Sequence, residues 1–470
     1  QYGGGFFLAD GSLQTNTGTT ISNNAAVENG GGIYQTAGSV TLSDTTVSSN
    51  SAKLGGGLYQ QAGLVSVLRS IFNANTASTS GAGLYLASSS GAQSLTNSTI
   101  SGNTANGTGT SDGGGAVYKA GSSTLLFDSV TVAYNLAARN TNSGVRVAIG
   151  SGAVTAQNTL FAANGTGTTN ANCSGTLYSA SETNLDSGTS CGFSAERSNK
   201  DPQLLSLSNN GGYTFTHALP YLDGANPAID HGSTSLLSDQ RGKTRPSGSA
   251  SDVGAFEFQQ PTISLNTTGA LAYGELTPAD QIAPAATYTD DVNTYANGDQ
   301  LTVTLTSAQT GDLLGILDTA NITIDESGGV YYVIYNGVTT IGSVTGGKYQ
   351  AAPDSSPLVI SFNSSASRAA IEFLIRAVTF ENTSVNPDTT TRSASFVIQH
   401  NQVSSATASR DIEVTNTNLP PVAKNLSVTI NENETWTDSD FTNAAHYTDP
   451  DLHPMYGVVI TQLPANGTLT

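Results

Sequence analysis

The chain has 470 residues, enough for about three domains, and carries a formal net charge of −19. This acidity argues against nucleic acid as a partner. Only 11% of the residues are charged, and Gly, Ser, Thr and Asn fill their place. No apolar run approaches the roughly 20 residues needed to cross a bilayer, so we expect no membrane span in this segment.

Residues 1 to about 165 contain an internal repeat. Clusters of Gly, each closely followed by an apolar–aromatic pair, occur at 3–5, 30–32, 55–57, 81–83 and 113–115. A second mark recurs every 25 to 32 residues, at Asn24, Asn50, Asn75, Asn103, Asn135 and Asn164. Between the marks lie short apolar/polar alternations, which predict short strands and no helix.

A unit of this length with three short strands is typical of one coil of a right-handed parallel β-helix. One coil cannot bury its apolar face alone, so successive coils stack and cover each other. We interpret the Gly clusters as tight corners rather than phosphate loops, because no Lys-Ser/Thr pair follows them. The aligned Asn and Tyr residues are predicted to form ladders along the rod.

The repeat motifs carry a resemblance. The segments FNANTA (72–77) and SGNTA (101–105), with the Gly-Gly-small-apolar-Tyr units, resemble the repeats of chlamydial polymorphic outer-membrane proteins. Similar repeats occur in large bacterial surface β-helix proteins. The resemblance covers about a third of the chain and implies a β-helix at a bacterial cell surface.

The chain has two cysteines, Cys173 and Cys191. They occur without a CxxC motif or a His cluster, which argues against a metal site. We predict that they form a disulfide rather than remain free thiols, which implies an oxidising compartment.

The periodicity fades after Asn164. The series DPQLLSLSNNGGYTFTHALP (201–220), NPAIDHG (226–232) and SDQRGKTRPSGSASDVGAFEF (238–258) resembles the C-terminal end of bacterial β-helix domains of the choice-of-anchor type. This resemblance implies that residues 166–258 hold a disulfide loop and a cap. A cap covers the unpaired strand edges at the end of a solenoid. Residues 1–258 are therefore predicted to form one β-helix domain.

The titratable residues of this half could serve catalysis or structure. The densest group is Asp230, His231, Asp239, Arg241 and Arg245. We predict that Asp239 and Arg241 form a structural ion pair and that His217 and His231 are hydrogen-bonded loop residues. A β-helix polysaccharide lyase needs clustered acids and a base on one face. The coils instead offer residues that do not fall in one phase of the repeat: Asp10, Asp44, Asp128, Lys53, Arg69 and Lys119.

After a linker at 259–264 the predicted strands become longer, for example QLTVTLTSA, VYYVIYNG and SASFVIQ. Their spacing predicts an antiparallel sandwich at 262–418. One segment, 367–378, has helical periodicity with Ser367 near its N-cap. The series from 362 to 423 resembles the cadherin-like repeats of large bacterial adhesins. Residues 419–470 look like the incomplete start of a second such module.

The cadherin-like resemblance also implies calcium. YTDD (288–291) and YTDPD (447–451) occupy similar places in the two modules, and NTNLPP and INENE are similar to cadherin-type calcium motifs. Ca²⁺ prefers oxygen ligands of this kind. The junction departs from the family pattern, with Asn418-Leu419 where Asn-Asp is usual, and turn chemistry is the alternative explanation. The candidate ligands are Asp290, Asp291, Asn416, Asn418, Glu432, Glu434, Asp449 and Asp451.

These observations favour an extracellular, non-enzymatic protein of a bacterial surface, acting as a structural stalk, a filament or an adhesin. Its partners would be other surface proteins, glycans or copies of itself end to end. The alternative is a carbohydrate-active β-helix enzyme, a lyase or hydrolase, with accessory sandwiches. Because the sequence opens within a repeat and stops within a strand pattern, we expect it to be part of a longer protein.

Overall fold

A computed structural model describes residues 2–138, 143–165, 171–179, 182–291, 295–350, 355–401 and 403–417, with short stretches between 419 and 462. The chain divides into two compact units, Gln1–Gln260 and Pro261–Thr470. The first is a parallel β-solenoid, and the second contains antiparallel sandwich sheets. The predicted all-β fold class is therefore confirmed.

The strands of the first unit are short, most of them two to five residues long. In chain order they are β1 (Phe6–Leu8), β2 (Ser12–Gln14), β3 (Thr20–Ser22), β4 (Ile33–Gln35), β5 (Ser39–Ser43), β6 (Thr46–Ser48), β7 (Ser51–Leu54), β8 (Leu58–Gln60), β9 (Leu64–Leu68), β10 (Ile71–Asn73), β11 (Thr76–Ser80), β12 (Leu84–Leu86), β13 (Ala92–Thr96), β14 (Thr99–Ser101), β15 (Thr104–Ala105), β16 (Val117–Lys119), β17 (Thr124–Asp128), β18 (Thr131–Ala133), β19 (Leu136–Ala137), β20 (Val145–Val147), β21 (Val154–Gln157), β22 (Leu160–Ala162), β23 (Cys173–Ser174), β24 (Tyr178–Ser179) and β25 (Leu185–Asp186).

These strands form three parallel sheets of seven strands and one of four. Sheet 1 has the order β1-β4-β8-β12-β16-β20-β23, and sheet 2 has the order β2-β5-β9-β13-β17-β21-β24. Sheet 3 runs β3-β6-β10-β14-β18-β22-β25, and sheet 4 runs β7-β11-β15-β19. The coil predicted from the sequence has three strands and lacks the strand that belongs to sheet 4. Strands of sheet 4 begin directly after the ladder asparagines, so the residue pattern alone does not separate them from the strands of sheet 3.

The coils stack in register, so like residues cover like residues. Ile33 pairs with Leu58, which pairs with Leu84, and all three are fully buried. Their neighbours along each strand point outward, as the period of two requires. The solenoid core is thus a set of apolar columns, each built by one position of the repeat.

The Gly clusters are corners, as predicted. Gly30 has a φ of +70°, a left-handed conformation that favours glycine. A Cβ on Gly31 would lie 2.4 Å from the carbonyl oxygen of Gly56 in the next coil, so a side chain has no room there. One cluster thus supplies both a sharp turn and a close approach between coils.

The segment after the last coil has two parts. Ser198 pairs with Asp186 of β25, so residues near 198 cover the end of sheet 3 as a cap would. Residues 204–258, which we call the strap, instead run back along the outer face of sheet 3. The strap reaches the early coils, where Thr214 Oγ1 donates to the carbonyl oxygen of Arg69 at 3.0 Å. The segment therefore covers a side of the solenoid in addition to its end.

The second unit contains the only α-helix among the described residues. Its elements are β26 (Thr262–Ser264), β27 (Leu271–Gly274), β28 (Asp280–Gln281), β29 (Thr287–Thr289), β30 (Gln300–Thr306), β31 (Asp312–Ile316), β32 (Ile322–Ser327), β33 (Val330–Tyr335), β34 (Thr339–Thr345), β35 (Leu358–Phe362), α1 (Arg368–Ala377), β36 (Val378–Asn382), β37 (Arg392–His400), β38 (Val403–Ser404), β39 (Ala408–Thr415), β40 (Val422–Ala423) and β41 (Tyr447–Thr448).

A nine-stranded sheet has the order β27-β39-β37-β30-β35-β34-β33-β32, with β38 paired to β37. Its pairs are antiparallel except β27 with β39, which is parallel. A three-stranded sheet has the order β28-β36-β31. Residues of this sheet, of the nine-stranded sheet and of α1 share one apolar core in the second unit. The helix confirms the sequence prediction, since the Ser367 side chain caps it by accepting a bond from the Ala370 N–H. Its buried face includes Ile371 and Ile375, while Phe373 is only partly buried.

Candidate functional site

The asparagines that mark the repeat form a buried column at the corner between sheets 3 and 4. Every member but the last donates from Nδ2 to the Oδ1 of the next asparagine in the column, at 2.7–3.0 Å; the members are Asn24, Asn50, Asn75, Asn103, Asn135, Asn164 and Asn172. The backbone N–H of each donor residue bonds to the same oxygen, for example Asn50 N to Asn75 Oδ1 at 3.0 Å. The predicted ladder is therefore confirmed.

The column ends on a carboxylate. Asn172 Nδ2 donates to Asp186 Oδ1 at 2.5 Å, and the N–H groups of Gly188 and Cys191 also donate to the Asp186 carboxylate, each at 2.8 Å. Sequence reasoning missed Asn172 because it follows Asn164 by only 8 residues. It missed Asp186 because this residue is not an asparagine. Asp186 receives hydrogen bonds and has none to give, which suits the last place in a one-way chain of donors.

A second buried column, of hydroxyl groups, was not predicted. Thr45 N–H donates to Ser70 Oγ at 3.0 Å, and Ser70 N–H donates to Ser98 Oγ at 3.1 Å. The residue before each hydroxyl has a positive φ, as at Asp44 and Arg69. A small polar residue after a corner was the available signal, but the repeat contains too many Ser and Thr residues for it to stand out.

The tyrosines after the Gly clusters stack on the outer face of sheet 1. Ring centroids of Tyr34, Tyr59, Tyr85 and Tyr118 lie 4.9–5.3 Å apart along the column. Burial and the neighbouring rings raise the pKa of Tyr85 to about 12. Because the ring faces cover each other, only their edges reach solvent, and this column serves packing better than it serves stacking on a sugar.

Two of the scattered charges of the coils belong together. Asp44 and Arg69 occupy the same corner position in adjacent coils and form a bidentate ion pair, with both N–O distances 2.8 Å. This pair shares one phase of the repeat, while Lys53 on β7 and Lys119 on β16 lie in other phases, as predicted for the set. The two charges of this pair neutralise each other.

Lys119 lies inside the solenoid. It is fully buried in the column that holds Gln35 and Gln60 in earlier coils. Its Nζ donates to the carbonyl oxygen of Gly121. Burial lowers the pKa of Lys119 to about 8.

The strap contains a buried ion cluster. Arg241 and Asp239 pair at 2.8 Å with both side chains inaccessible, which confirms the predicted structural ion pair. Arg245 Nε lies 3.2 Å from Glu257 Oε2, but its terminal nitrogens donate to the carbonyl oxygens of Asp252 and Gly254. The Arg245–Glu257 attraction is thus mainly electrostatic.

The carboxyl groups of Glu257 and Asp252 accept hydrogen bonds from backbone N–H groups. Glu257 accepts from the N–H groups of Ser247 and Asp252, and Asp252 accepts from those of Asp230 and Phe258. Burial raises the pKa of Asp252 and that of Glu257, and the charge of Glu257 raises that of Asp252 further. All four of these hydrogen bonds join residues within the strap and stabilise its own fold.

Both histidines of the strap are hydrogen-bonded, as predicted. His231 Nδ1 lies 2.5 Å from the Ile229 carbonyl oxygen. His217 is buried between the strap and the coils, with Nε2 2.8 Å from Ser101 Oγ and Nδ1 2.8 Å from the Leu205 carbonyl oxygen.

The candidate calcium ligands fall in separate places. Asp290 is buried in the sandwich, where its Oδ2 accepts from Tyr288 Oη and lies 2.6 Å from His400 Nδ1. Its backbone oxygen accepts from Arg368. Burial and the neighbouring Asp290 raise the pKa of Tyr288, so that hydroxyl stays a donor. Asp291, the next residue, is only partly buried.

The remaining candidates lie near the second module. Asn416 is exposed and bonds to Asn386, while Asp449 accepts from Tyr447 Oη and from the Asp451 N–H. Asp451 is fully buried; its Oδ2 accepts from the Leu419 N–H at 2.6 Å, and its Oδ1 has no hydrogen-bond partner in the described part of the chain. Asn418, Glu432 and Glu434 lie outside the described residues.

Over the described ranges, no group of three or more His, Cys, Asp or Glu residues is arranged to hold a metal ion. The orphaned oxygen of Asp451, with Asp449 two residues away, fits part of a calcium shell. Asp290 fits less well, because its Oδ2 already has two partners. Calcium stays a prediction.

Two of the open cavities on the described surface are lined in part by charged side chains. One, of about 580 Å³, lies between residues after the disulfide and the strap, and its walls include Glu196, Arg197, Lys200, Asp201 and His231. The other, of about 390 Å³, lies in the second unit beside Asp318, Lys348 and Tyr349.

The disulfide is present as predicted, between Cys173 of β23 and Cys191. No helix among the described residues combines the length and hydropathy needed to cross a membrane. Comparison of the chain with protein-family models, with curated proteins and with solved structures finds no match in any of the three.

Proposed function

We propose that this chain is an extracellular, non-enzymatic bacterial surface protein that acts as a structural stalk or adhesin and is stabilised by calcium. The proposal rests on the contacts that the repeated residues make between neighbouring coils. The asparagines and tyrosines that recur in every coil bond to or stack on their counterparts in the next coil. Repeated positions thus specify shape.

The disulfide supports an extracellular location, because such bonds persist in oxidising compartments. The cavity lined by Glu196, Lys200 and Asp201 supports the adhesin form of the proposal. Its charged and amide side chains suit hydrogen bonds to the hydroxyl groups of a glycan.

A polysaccharide screen of the purified chain, with and without calcium, tests the proposal. We expect binding without turnover, or no binding. Release of products, especially with unsaturated ends, would overturn the non-enzymatic reading in favour of the carbohydrate-active alternative.

Calcium is tested by thermal unfolding in calcium and in chelator. Asp449 and Asp451 would supply carboxylate oxygens, and the ion would satisfy Asp451 Oδ1. At a concentration one hundredfold above Kd, a bound ion adds about 2.7 kcal/mol of stability. Asp451→Asn should remove most of the shift and the matched exposed control Asp325→Asn should keep it. An unchanged shift in Asp451→Asn would place any calcium elsewhere.

A further inference from the structure

The strap is held to the solenoid in two different ways. Its inner part packs apolar residues onto the late coils, in a cluster that includes Leu204, Leu219, Ala228, Ile229, Val253 and Phe256 against Leu160 and Leu185. Its outer part is a hairpin, residues 205–217, closed by the Ser208–Thr216 pair. Within the described chain, no hairpin residue belongs to an apolar core cluster.

The hairpin is therefore seated on the coils mainly by polar contacts, beside the packing of the His217 ring on Tyr134. Thr214 donates to the Arg69 carbonyl oxygen, and Gln240 links Thr214 Oγ1 to Thr99 Oγ1 with bonds of 2.9 and 2.7 Å. The third contact is His217 with Ser101 at 2.8 Å. These four bonds are worth a few kcal/mol together. That is much less than the burial of the apolar inner part contributes.

His217 stands where the two parts of the strap meet. Its Nδ1 faces the Leu205 carbonyl oxygen, so Nδ1 carries the proton and Nε2 accepts from the Ser101 hydroxyl. Its ring packs on Tyr134, with centroids 5.0 Å apart. This geometry is satisfied by a neutral imidazole, in which Nε2 is an acceptor and carries no hydrogen.

We infer that His217 is a pH-sensitive latch: protonation of its imidazole releases residues 205–217 from the coils while the apolar part of the strap stays docked. The protonated ring must donate from Nε2, and the Ser101 hydroxyl then has to reverse its own bond. A buried cation between Leu205, Ser101 and Tyr134 also lacks a countercharge, since no carboxylate in the described chain bonds to the ring. Release into water relieves both penalties.

The surrounding titratable groups agree with this direction. Burial lowers the pKa of His217 below 6.5, so the unfolded or released ring takes a proton first. Docking is then fully stable above pH 6.5 and weakens as pH falls through that value. Tyr134, whose pKa is raised by burial and by Asp201, stays neutral. Asp252 and Glu257, with raised pKa values, stabilise the inner part on acidification, which confines the change to the hairpin.

Hydrogen exchange of the full chain at pH 7.5 and 5.0, corrected for intrinsic rates, tests the latch. We expect protection in 205–217 to fall by about tenfold or more at pH 5.0 while 219–229 keeps its protection. His217→Gln, which cannot titrate, should make hairpin protection equal at the two values. The matched control His231→Gln should behave as wild type.

Two results would overturn the inference. One is hairpin protection in the wild type that is the same at both pH values. The other is a His217→Gln chain that still loses protection in 205–217 on acidification. If His217→Gln does not fold, Ser101→Ala serves instead. It removes the hydroxyl on the coil side that bonds to His217 Nε2, and it changes no residue of the strap. It should lower hairpin protection at pH 7.5.

Discussion

At the scale of single residues, Lys119 is a charged side chain buried in the solenoid core, where its burial is unfavourable. A folded-state pKa of about 8, against 10.5 for a free lysine, means that burial opposes the charged form. Below pH 8 both the folded and unfolded chains hold the proton, and the full penalty applies. Between pH 8 and 10.5 the folded chain sheds its proton first, so stability rises with pH.

Lys119→Gln should therefore stabilise the chain at pH 7, by about 1–2 kcal/mol. Glutamine already occupies the equivalent place at Gln35 and Gln60. Denaturant unfolding at pH 7 and pH 9.5 measures the difference, which should shrink at the higher pH. The exposed Lys53→Gln is the control; equal effects from both variants would contradict a burial penalty at Lys119.

Asp186 is the residue where the direction of the Asn column can be tested. Asp186→Asn replaces one accepting oxygen by a donor that faces N–H groups, so we expect a loss of about 2–3 kcal/mol. Asn75→Asp is the matched reverse, because its new oxygen would face Asn103 Oδ1 and the Val47 carbonyl oxygen. Both should destabilise in urea unfolding, and a neutral Asp186→Asn would refute the one-way ladder.

At the scale of elements, the sandwich is fastened by a buried pair. Arg392 of β37 donates from Nε to Asp312 of β31 at 2.9 Å, and Asn382 of β36 donates to the same carboxylate at 2.7 Å. The Arg392 guanidinium also bonds to the Asp388 and Thr390 carbonyl oxygens. One planar cation thus joins two sheets and a loop.

Arg392→Met should cost about 3–5 kcal/mol, since it leaves Asp312 buried without a countercharge. Arg392→Lys should recover only part of this, because an ammonium cannot reproduce the fork. Arg376→Lys, at a partly exposed pair, should cost less than about 1 kcal/mol. Calorimetric unfolding ranks the three, and a mild Arg392→Met would contradict the role of the pair.

Elements with a local signal were predictable, and those that depend on distant contacts were not. The 367–378 helix and the long strands follow from periodicity within a dozen residues. The Arg392–Asp312 pair joins residues 80 positions apart, and the sequence around either residue does not indicate its partner. The strap was recognised as a segment, but its path along sheet 3 depends on contacts such as Thr99 with Gln240, 141 residues apart.

At the scale of the whole molecule, the solenoid was the most predictable part. Every coil has to bury the same apolar face against its neighbours, so the same residue pattern recurs in each coil. The weakest place of the solenoid should be the last coil, where the repeat has decayed and the disulfide takes over. Cys173 lies on β23 and Cys191 follows β25, so the bond ties sheet 1 to the covering loop.

Replacing both cysteines by serine should lower stability by about 3 kcal/mol, the value for an 18-residue loop. Hydrogen exchange should show the loss in β23–β25 first, while β8–β14 keep their protection. Uniform loss of protection along all coils would instead mean that the solenoid unfolds as one cooperative body.

The one-way order of the Asn column has an electrical consequence. Each side-chain amide carries a dipole, and because all of them point their hydrogens toward the same end, the dipoles add instead of cancelling, as peptide dipoles do in a helix. The interior of the rod is therefore polarised, with its positive pole at Asn172. A negative charge is most easily buried at that pole, and there the chain has Asp186.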